Sequence, residues 1–273
     1  VWDIKGTDTK ILLDAREYYP RNYDDEWRWR LLEKRFNTYL CKNYLKRCNK
    51  IITVSDGLAQ EYAREFQVEP EVITSMPDYQ AIQPIESKAD RVRLIYHGHA
   101  GYSRRTEVMI ELMDYLDARF SLDLMLMEIK DTYWQKIVCM AANRKNVRII
   151  PPVPMNEIIG LTNSYDIGLF LVPPSNFNLK YTLPNKFFEF IQARLAIAIG
   201  PSIEMKKLVE KYDCGVVSHD FDPRSLGEEL NKLTVEDIMK YKENSHKAAG
   251  ELNAEVNKNR ILQIVDELTD GKH

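Results

Sequence analysis

The chain has 273 residues, of which 44% are hydrophobic and 29% charged, and its net charge is −3. Those fractions describe a soluble globular protein of one large or two modest domains, and the slightly acidic balance argues against general nucleic-acid binding. No apolar run approaches the ~18 residues of a transmembrane helix, and no signal-peptide pattern opens the sequence.

In chain order, Ile11-Leu12-Leu13 reads as a short strand and Trp27 to Leu45 as one long amphipathic helix, rich in arginine and aromatics. Strands at Lys50 to Val54 and Val72 to Thr74 flank a helix from about Asp56 to Phe66, with Ser55-Asp56 as its expected cap. Met76 to Asp90 carries prolines and little periodicity, as an interdomain linker does. Strands then recur near 93–97, 121–127, 147–150, 166–172, 196–200 and 215–218, mostly separated by helices. A final helix over about 254–269 has Val256, Ile261, Leu262, Ile264, Val265 and Leu268 as its apolar face. Strands alternating with helices predict doubly wound parallel sheets. The expected division is 1–82, 83–252 and a closing helix at 253–273. The first part holds only about half of a doubly wound unit, which implies a missing segment of roughly one half-domain.

Two places set cations where a helix would ordinarily reject them. In Leu183-Pro184-Asn185-Lys186-Phe187-Phe188-Glu189-Phe190, Asn185 is a good N-cap and Lys186 falls in the first turn. A lone cation there is unfavourable by roughly 0.3–1 kcal/mol, so an anion is the expected neighbour, with Glu189 one turn on. The bland alternative is a solvated Lys–Glu pair. Leu94-Ile95-Tyr96-His97-Gly98 then reads as a buried strand, with His99 to Tyr102 as a loop. A helix expected from about Ser103 carries Val108, Met109, Leu112, Met113 and Leu116 on one face, and Arg104 and Arg105 occupy its positive end. Strand, glycine turn and helix N-terminus is a phosphate-binding arrangement. Two such helices in one domain point to a diphosphate ligand.

Tyr96-His97-Gly98 with Arg104, the segment Leu183 to Phe190, and Gly200-Pro201-Ser202 with Glu204-Met205 resemble the donor domain of GT-B glycosyltransferases of family 4. Asp14 to Pro20, Ile52 to Gly57 and Met76-Pro77-Asp78-Tyr79 extend the resemblance over nearly the whole chain. It implies two Rossmann-like α/β domains, the first incomplete, with the last helix crossing back to it. It also implies a retaining enzyme of polysaccharide biosynthesis that uses a UDP- or GDP-sugar donor, a glycan or lipid-linked acceptor, and no metal or other cofactor. By the same resemblance, Glu189 takes the ribose hydroxyls, and Arg104 and Lys186 neutralise the diphosphate. Gly98 admits the backbone closely, His99, Arg105 and Asn185 line the donor, and Val153 meets the base.

The chain departs from that pattern at named positions. Arg16 stands where many members have a histidine near the donor sugar, and it joins Arg104 and Lys186 as a candidate for the chemistry. Tyr181 replaces the first of two glutamates eight residues apart. Arg194 and Ala196 stand where glycine and proline are usual. These leave two alternatives: a degenerate transferase kept as a binding or scaffold protein, and a nucleotide-sugar 2-epimerase, whose catalytic carboxylates have no evident place.

Other features carry less. Asp220-Phe221-Asp222 spells a metal-binding D-x-D, but its position before Pro223 favours turn and capping chemistry. His97 and His99 are candidates for the donor sugar or the core. Cys41, Cys48, Cys139 and Cys214 lack CxxC spacing and disulfide-framework density, which fits free thiols in a reducing cytosol. The basic, aromatic stretch Arg16 to Arg30 is expected to be one face of a packed helix with snorkelling arginines. A carbohydrate, a lipid-linked acceptor or the anionic inner face of a membrane is the alternative.

Overall fold

The computed structural model describes residues 9–129 and 131–269, and it divides into two compact units. One comprises residues 1–75, 174–183 and 255–273, the other 76–173 and 184–254. The boundary therefore falls at Ser75–Met76 rather than near residue 82, and residues 174–183 group with the first unit. The expected start of the first strand at Ile11 shifts by one residue.

In the first unit, β1 (Leu12–Ala15), β2 (Lys50–Thr53) and β3 (Glu71–Val72) form a parallel sheet in that order. The expected long helix divides into α1 (Trp27–Leu32) and α2 (Lys34–Tyr44), interrupted at Glu33, where the backbone relaxes to φ −103°. Trp29, Cys41 and Leu45 are buried, but Trp27, Leu31, Leu32, Phe36 and Tyr39 are exposed. Within the stretch Arg16 to Arg30, Tyr18 and Trp29 are packed whereas Tyr23 and Trp27 are exposed. α3 (Asp56–Phe66) follows β2. Ser55 precedes it without capping, because its hydroxyl donates to the Tyr181 carbonyl at 3.0 Å. Tyr18, Tyr62, Phe66 and Phe177 build an aromatic core, with Tyr18 4.8 Å from Tyr62 and 5.0 Å from Phe177 between ring centroids.

The second unit is a six-stranded parallel sheet of β4 (Val92–His99), β5 (Phe120–Met127), β6 (Val147–Ile150), β7 (Ile167–Phe170), β8 (Ala196–Ile199) and β9 (Gly215–Val217). Its order is β6-β5-β4-β7-β8-β9. The strands read as near-continuous apolar runs because both faces are covered; Leu94, Ile95, Leu122, Ile167, Leu169 and Ile199 are fully buried. The chain winds outward from β4 in one direction through β5 and β6, then returns to its other side as β7. The crevice beyond the carboxyl ends of β4 and β7 is accordingly the switch point where such sheets take ligands.

Helices α4 (Glu107–Leu112), α5 (Thr132–Ala142) and α6 (Ile158–Thr162) follow β4, β5 and β6. The short α7 (Phe177–Lys180) belongs to the first unit, and α8 (Asn185–Gln192) links β7 to β8. α9 (Ile203–Tyr212), α10 (Pro223–Lys232), α11 (Val235–Glu251) and α12 (Ala254–Thr269) complete the chain. α12 groups with the first unit from Glu255 onward, where Asn257 donates to the Thr74 carbonyl and Arg260 pairs with Glu71. Residues 76–90 hold no helix or strand, yet they pack on the second unit. Gln80 donates its amide to Gln192 at 3.0 Å and accepts from Arg194 through its carbonyl.

Two backbone positions set α8 in place. Gly168 of β7 lies so close to the helix that a Cβ there would come within 2.4 Å of the Phe190 ring. We expect Gly168→Ala to lower the unfolding midpoint in urea by the equivalent of about 1–3 kcal/mol, the usual cost of overpacking a core; an unshifted midpoint would contradict this close approach. After the helix, Arg194 takes a left-handed φ of +62°, the conformation that favours glycine at a helix end. The arginine holds it because its buried guanidinium donates to the Gln192 carbonyl at 2.6 Å, to Ile191 and Gln80, and to His246 Nδ1 at 3.0 Å.

Candidate functional site

The carboxyl end of β4 and the first turn of α8 meet in the second unit. Helix α8 begins at Asn185, and Pro184, not Asn185, is the cap residue; no side chain caps it. Proline fixes an extended geometry there (φ −75°, ψ 147°), so Asn185 is already helical and exposed. Lys186 is therefore the second residue of the helix, among amides that carry the positive end of the dipole.

The ammonium of Lys186 lies over the Tyr96 ring, 4.1 Å from its centroid, and 5.7 Å from that of Phe170. Gly98 faces it directly: at φ +131°, a Cβ on this residue would sit 2.6 Å from Lys186 Nζ. No carboxylate forms an ion pair with Lys186 among the described residues. Two aromatic rings at the ends of neighbouring strands thus support a cation at the mouth of the crevice.

Glu189 lies one turn deeper. Burial pushes its carboxyl up from the ordinary carboxylate value, with Lys186 pulling the other way. His97 Nε2 stands 3.3 Å from Glu189 Oε2, yet its N–H is not aimed at that oxygen and finds no hydrogen-bond partner. The contact is one of distance, not a formed bond. Burial, aided by Lys186, depresses the imidazole to about 3, so His97 is neutral at physiological pH. The Tyr96 hydroxyl is likewise buried without a partner. Orphaned buried polar atoms are uncommon, and here two neighbouring residues of β4 carry them beside a half-buried carboxylate.

Arg104 and Arg105 are placed differently from the sequence expectation. The helix starts at Glu107, four residues later than expected, because Tyr102 to Arg104 form a 3₁₀ turn and Arg105 turns left-handed (φ 46°). The positive end of α4 is already occupied by Glu107, which accepts hydrogen bonds from the Tyr133 hydroxyl and from Lys136 at 3.3 Å. The two arginines therefore lie on the loop after β4: Arg104 half-exposed, Arg105 exposed, and neither paired with a carboxylate among the described residues. His99, at the end of β4, is exposed, and Val153 is half-buried after β6.

Arg16 and Tyr181 belong to the other unit. Arg16 is exposed and holds Asp14 at 2.8 Å, a pairing that raises the guanidinium pKa further. Tyr181 packs its ring where a Cβ on Gly57 would be. Asp220 and Asp222 spend oxygens on backbone amides, Asp220 accepting from Asp222 at 2.9 Å and Asp222 from Arg224 at 2.8 Å as the cap of α10. No group of three or more metal-ligating side chains occurs among the described residues, and none of the four cysteines, all of them described, forms a disulfide. Phe170 was not legible as part of the site, because nothing in sequence relates β7 to Lys186 in α8. Tyr96 and His97 were nearer to view, as residues of the strand that ends at Gly98.

No family model and no curated protein sequence matches the chain. Solved structures do. TarM of S. aureus, crystallised with UDP among its ligands, superposes with a TM-score of 0.73 at 10% identity, over 96% of this chain and 52% of TarM. Sucrose-phosphate synthase of Thermosynechococcus elongatus gives 0.73 at 12% identity, over 96% of this chain and 68% of that one. WaaG, a glycosyltransferase involved in lipopolysaccharide biosynthesis, gives 0.69 at 16%, over 94% and 74%. The chain thus spans about half the length of TarM and has an α/β fold of the GT-B type.

Proposed function

We propose that this chain carries the donor-binding half of a glycosyltransferase, which moves a sugar from a UDP- or GDP-type donor to a glycan or lipid-linked acceptor, with retention and without a metal. One observation carries the reading: at the β4/β7 switch point, the unpaired ammonium of Lys186 faces Gly98, with Glu189 one helical turn deeper. A diphosphate accepts charge-assisted hydrogen bonds from the ammonium and from the free amides of the first turn of α8. Gly98 leaves room for it to approach the backbone. A pair of ribose hydroxyls suits a carboxylate that burial has stripped of water, since each O–H returns a hydrogen bond to it. As the glycosidic bond breaks, charge gathers on the leaving diphosphate, and a cation and helix dipole already aimed there lower that barrier. Arg104, on the loop leaving β4, is the second cation for that charge.

The alternative, a protein that binds the donor without transferring it, is favoured by one feature: Arg16 occupies the histidine position of the resemblance and is committed to Asp14. Arginine holds an anion but exchanges no proton near neutral pH. Calorimetric titration with UDP, GDP and their sugars, followed by a search for sugar hydrolysis or transfer, separates the two. Saturable nucleotide binding is expected, and Glu189→Ala is expected to weaken it about tenfold or more, the value of hydrogen bonds to a charged group. No saturable binding by either nucleotide, or unchanged affinity in Glu189→Ala, would overturn the donor site. Binding without turnover would select the non-catalytic reading.

A further inference from the structure

Lys186 and Glu189 stand three residues apart on α8, a spacing at which opposite charges ordinarily meet on a helix. They do not pair. The ammonium lies over the Tyr96 ring, and the carboxylate instead faces His97, whose Nε2 is 3.3 Å from Oε2. His97 is the one buried histidine among the described residues. It comes from β4, and its ring is held edge-on against Phe190 with 5.1 Å between centroids. Its Nε2 has no hydrogen-bond partner, while the Glu189 side chain is only 13% exposed. A buried donor and a largely dehydrated carboxylate thus lie within reach of each other, but misaligned, in the free protein. Hydrogen bonds at functional sites are often long or poorly aligned before the ligand arrives and tighten with it.

We propose that His97 is a positioning residue for Glu189: as a ribose seats, the imidazole donates its Nε2 proton to the carboxylate, holds it off Lys186, and makes the site select ribose over deoxyribose. This rests on the donor-site reading given above. A carboxylate offers about four lone-pair positions. The two ribose hydroxyls occupy two of them, and a donor from β4 on a third fixes the rotation of the group. The competitor for Glu189 is Lys186. An ion pair at this helical spacing is worth about twofold, whereas a hydrogen bond to a charged group is worth about ten- to a hundredfold. The imidazole therefore wins the carboxylate, and the ammonium stays free for the diphosphate. Burial keeps His97 neutral, so it donates a proton without cancelling the charge that the ribose hydroxyls meet. A carboxylate left to Lys186 would instead neutralise the site's cation and anion against each other.

Calorimetric titration of the full chain with UDP and GDP, each beside its 2′-deoxy counterpart, tests this. The wild-type chain is expected to prefer the ribonucleotide by about tenfold or more, the value of one hydrogen bond to a charged group. His97→Leu should bring the two affinities close together. His97→Gln, whose amide carries an N–H at a similar reach to Nε2, should restore most of the preference. A residue that only fills the core would weaken both nucleotides alike and leave their ratio unchanged. A ribose preference that survives in His97→Leu therefore overturns the proposal and leaves the donor site standing. No saturable binding of any of these nucleotides by the wild-type chain overturns the donor-site reading and the proposal with it. Should His97→Leu fail to fold, the wild-type chain decides the matter by nuclear magnetic resonance with isotope-labelled histidine. The Nε2 proton of His97, identified by its loss in His97→Gln, should move downfield on addition of the ribonucleotide and less with the 2′-deoxy form. A resonance that stays in place, or that moves equally with both, overturns the proposal.

Discussion

Lys186→Ala is expected to weaken binding of a nucleotide diphosphate by about ten- to a hundredfold while leaving the stability of the protein nearly unchanged. The two effects separate because the ammonium is held by opposing forces in the free protein. A cation in the first turn of a helix costs roughly 0.3–1 kcal/mol. Its position 4.1 Å over the Tyr96 ring returns roughly 0.5–1 kcal/mol. Removing the side chain deletes both, and the net change is small. With a diphosphate present, the same ammonium makes charge-assisted hydrogen bonds worth about 1.5–3 kcal/mol, which is the stated loss in affinity. Lys186→Arg should recover only part of it, since the space between Tyr96 and Gly98 admits a compact ammonium and not a planar fork. Nucleotide titration paired with urea unfolding checks this. A variant that loses stability in proportion to affinity would make Lys186 a structural residue.

The strands were legible because a parallel sheet covered on both faces leaves near-continuous apolar runs, and β6 at Val147–Ile150 matches its expected limits. Helix starts were less so. Arg105 turns left-handed without a glycine to announce it, which delays α4 to Glu107 and replaces the expected pair of arginines at its positive end by a buried carboxylate. Asn185 is a good cap by type, but the proline before it already holds the extended geometry of a cap. Lys186 stays in the first turn despite that shift of one residue, where the positive end of the dipole is felt. What supports its ammonium was only partly within reach: the resemblance set Tyr96 and Gly98 in the same site, whereas Phe170 comes from another strand, and only the sheet order brings it beside them. The exposure of Leu31, Leu32 and Phe36 was not legible for the same reason, since periodicity shows that a helix has an apolar stripe but not whether anything covers it.

Asp166→Asn should destabilise the second unit by about 3–5 kcal/mol near neutral pH, the range for breaking a buried ion pair from one side. Asp166 lies just before β7 and ties it to β4: it accepts from the Arg93 amide at 2.7 Å and from the Ser87 hydroxyl at 2.6 Å. The ammonium of Lys242 lies 3.6 Å from Oδ1, the oxygen that also accepts from Ser87, and neither side chain is reached by solvent beyond a few per cent. Asparagine can still accept from Arg93, but it leaves Lys242 as a buried cation with only the neutral oxygens of Tyr165 and Ser87. Burial already lowers the Lys242 pKa from 10.5, and Asp166 partly restores it. Between a lowered folded value and 10.5 the unfolded chain binds more protons than the folded one, so stability rises with pH across that window and falls as pH drops through it. Removing Asp166 lowers the folded value further and extends the window toward neutrality. The deficit of the variant should therefore be largest below both folded values and shrink as the pH is raised between them. Lys242→Met should cost less, because Asp166 keeps Ser87, the Arg93 amide and the Arg93 guanidinium at 3.9 Å. Urea unfolding of both variants across pH 6–9 measures this. An Asp166→Asn deficit below about 1 kcal/mol at pH 6, or one that grows with pH, would show that Lys242 does not depend on that carboxylate.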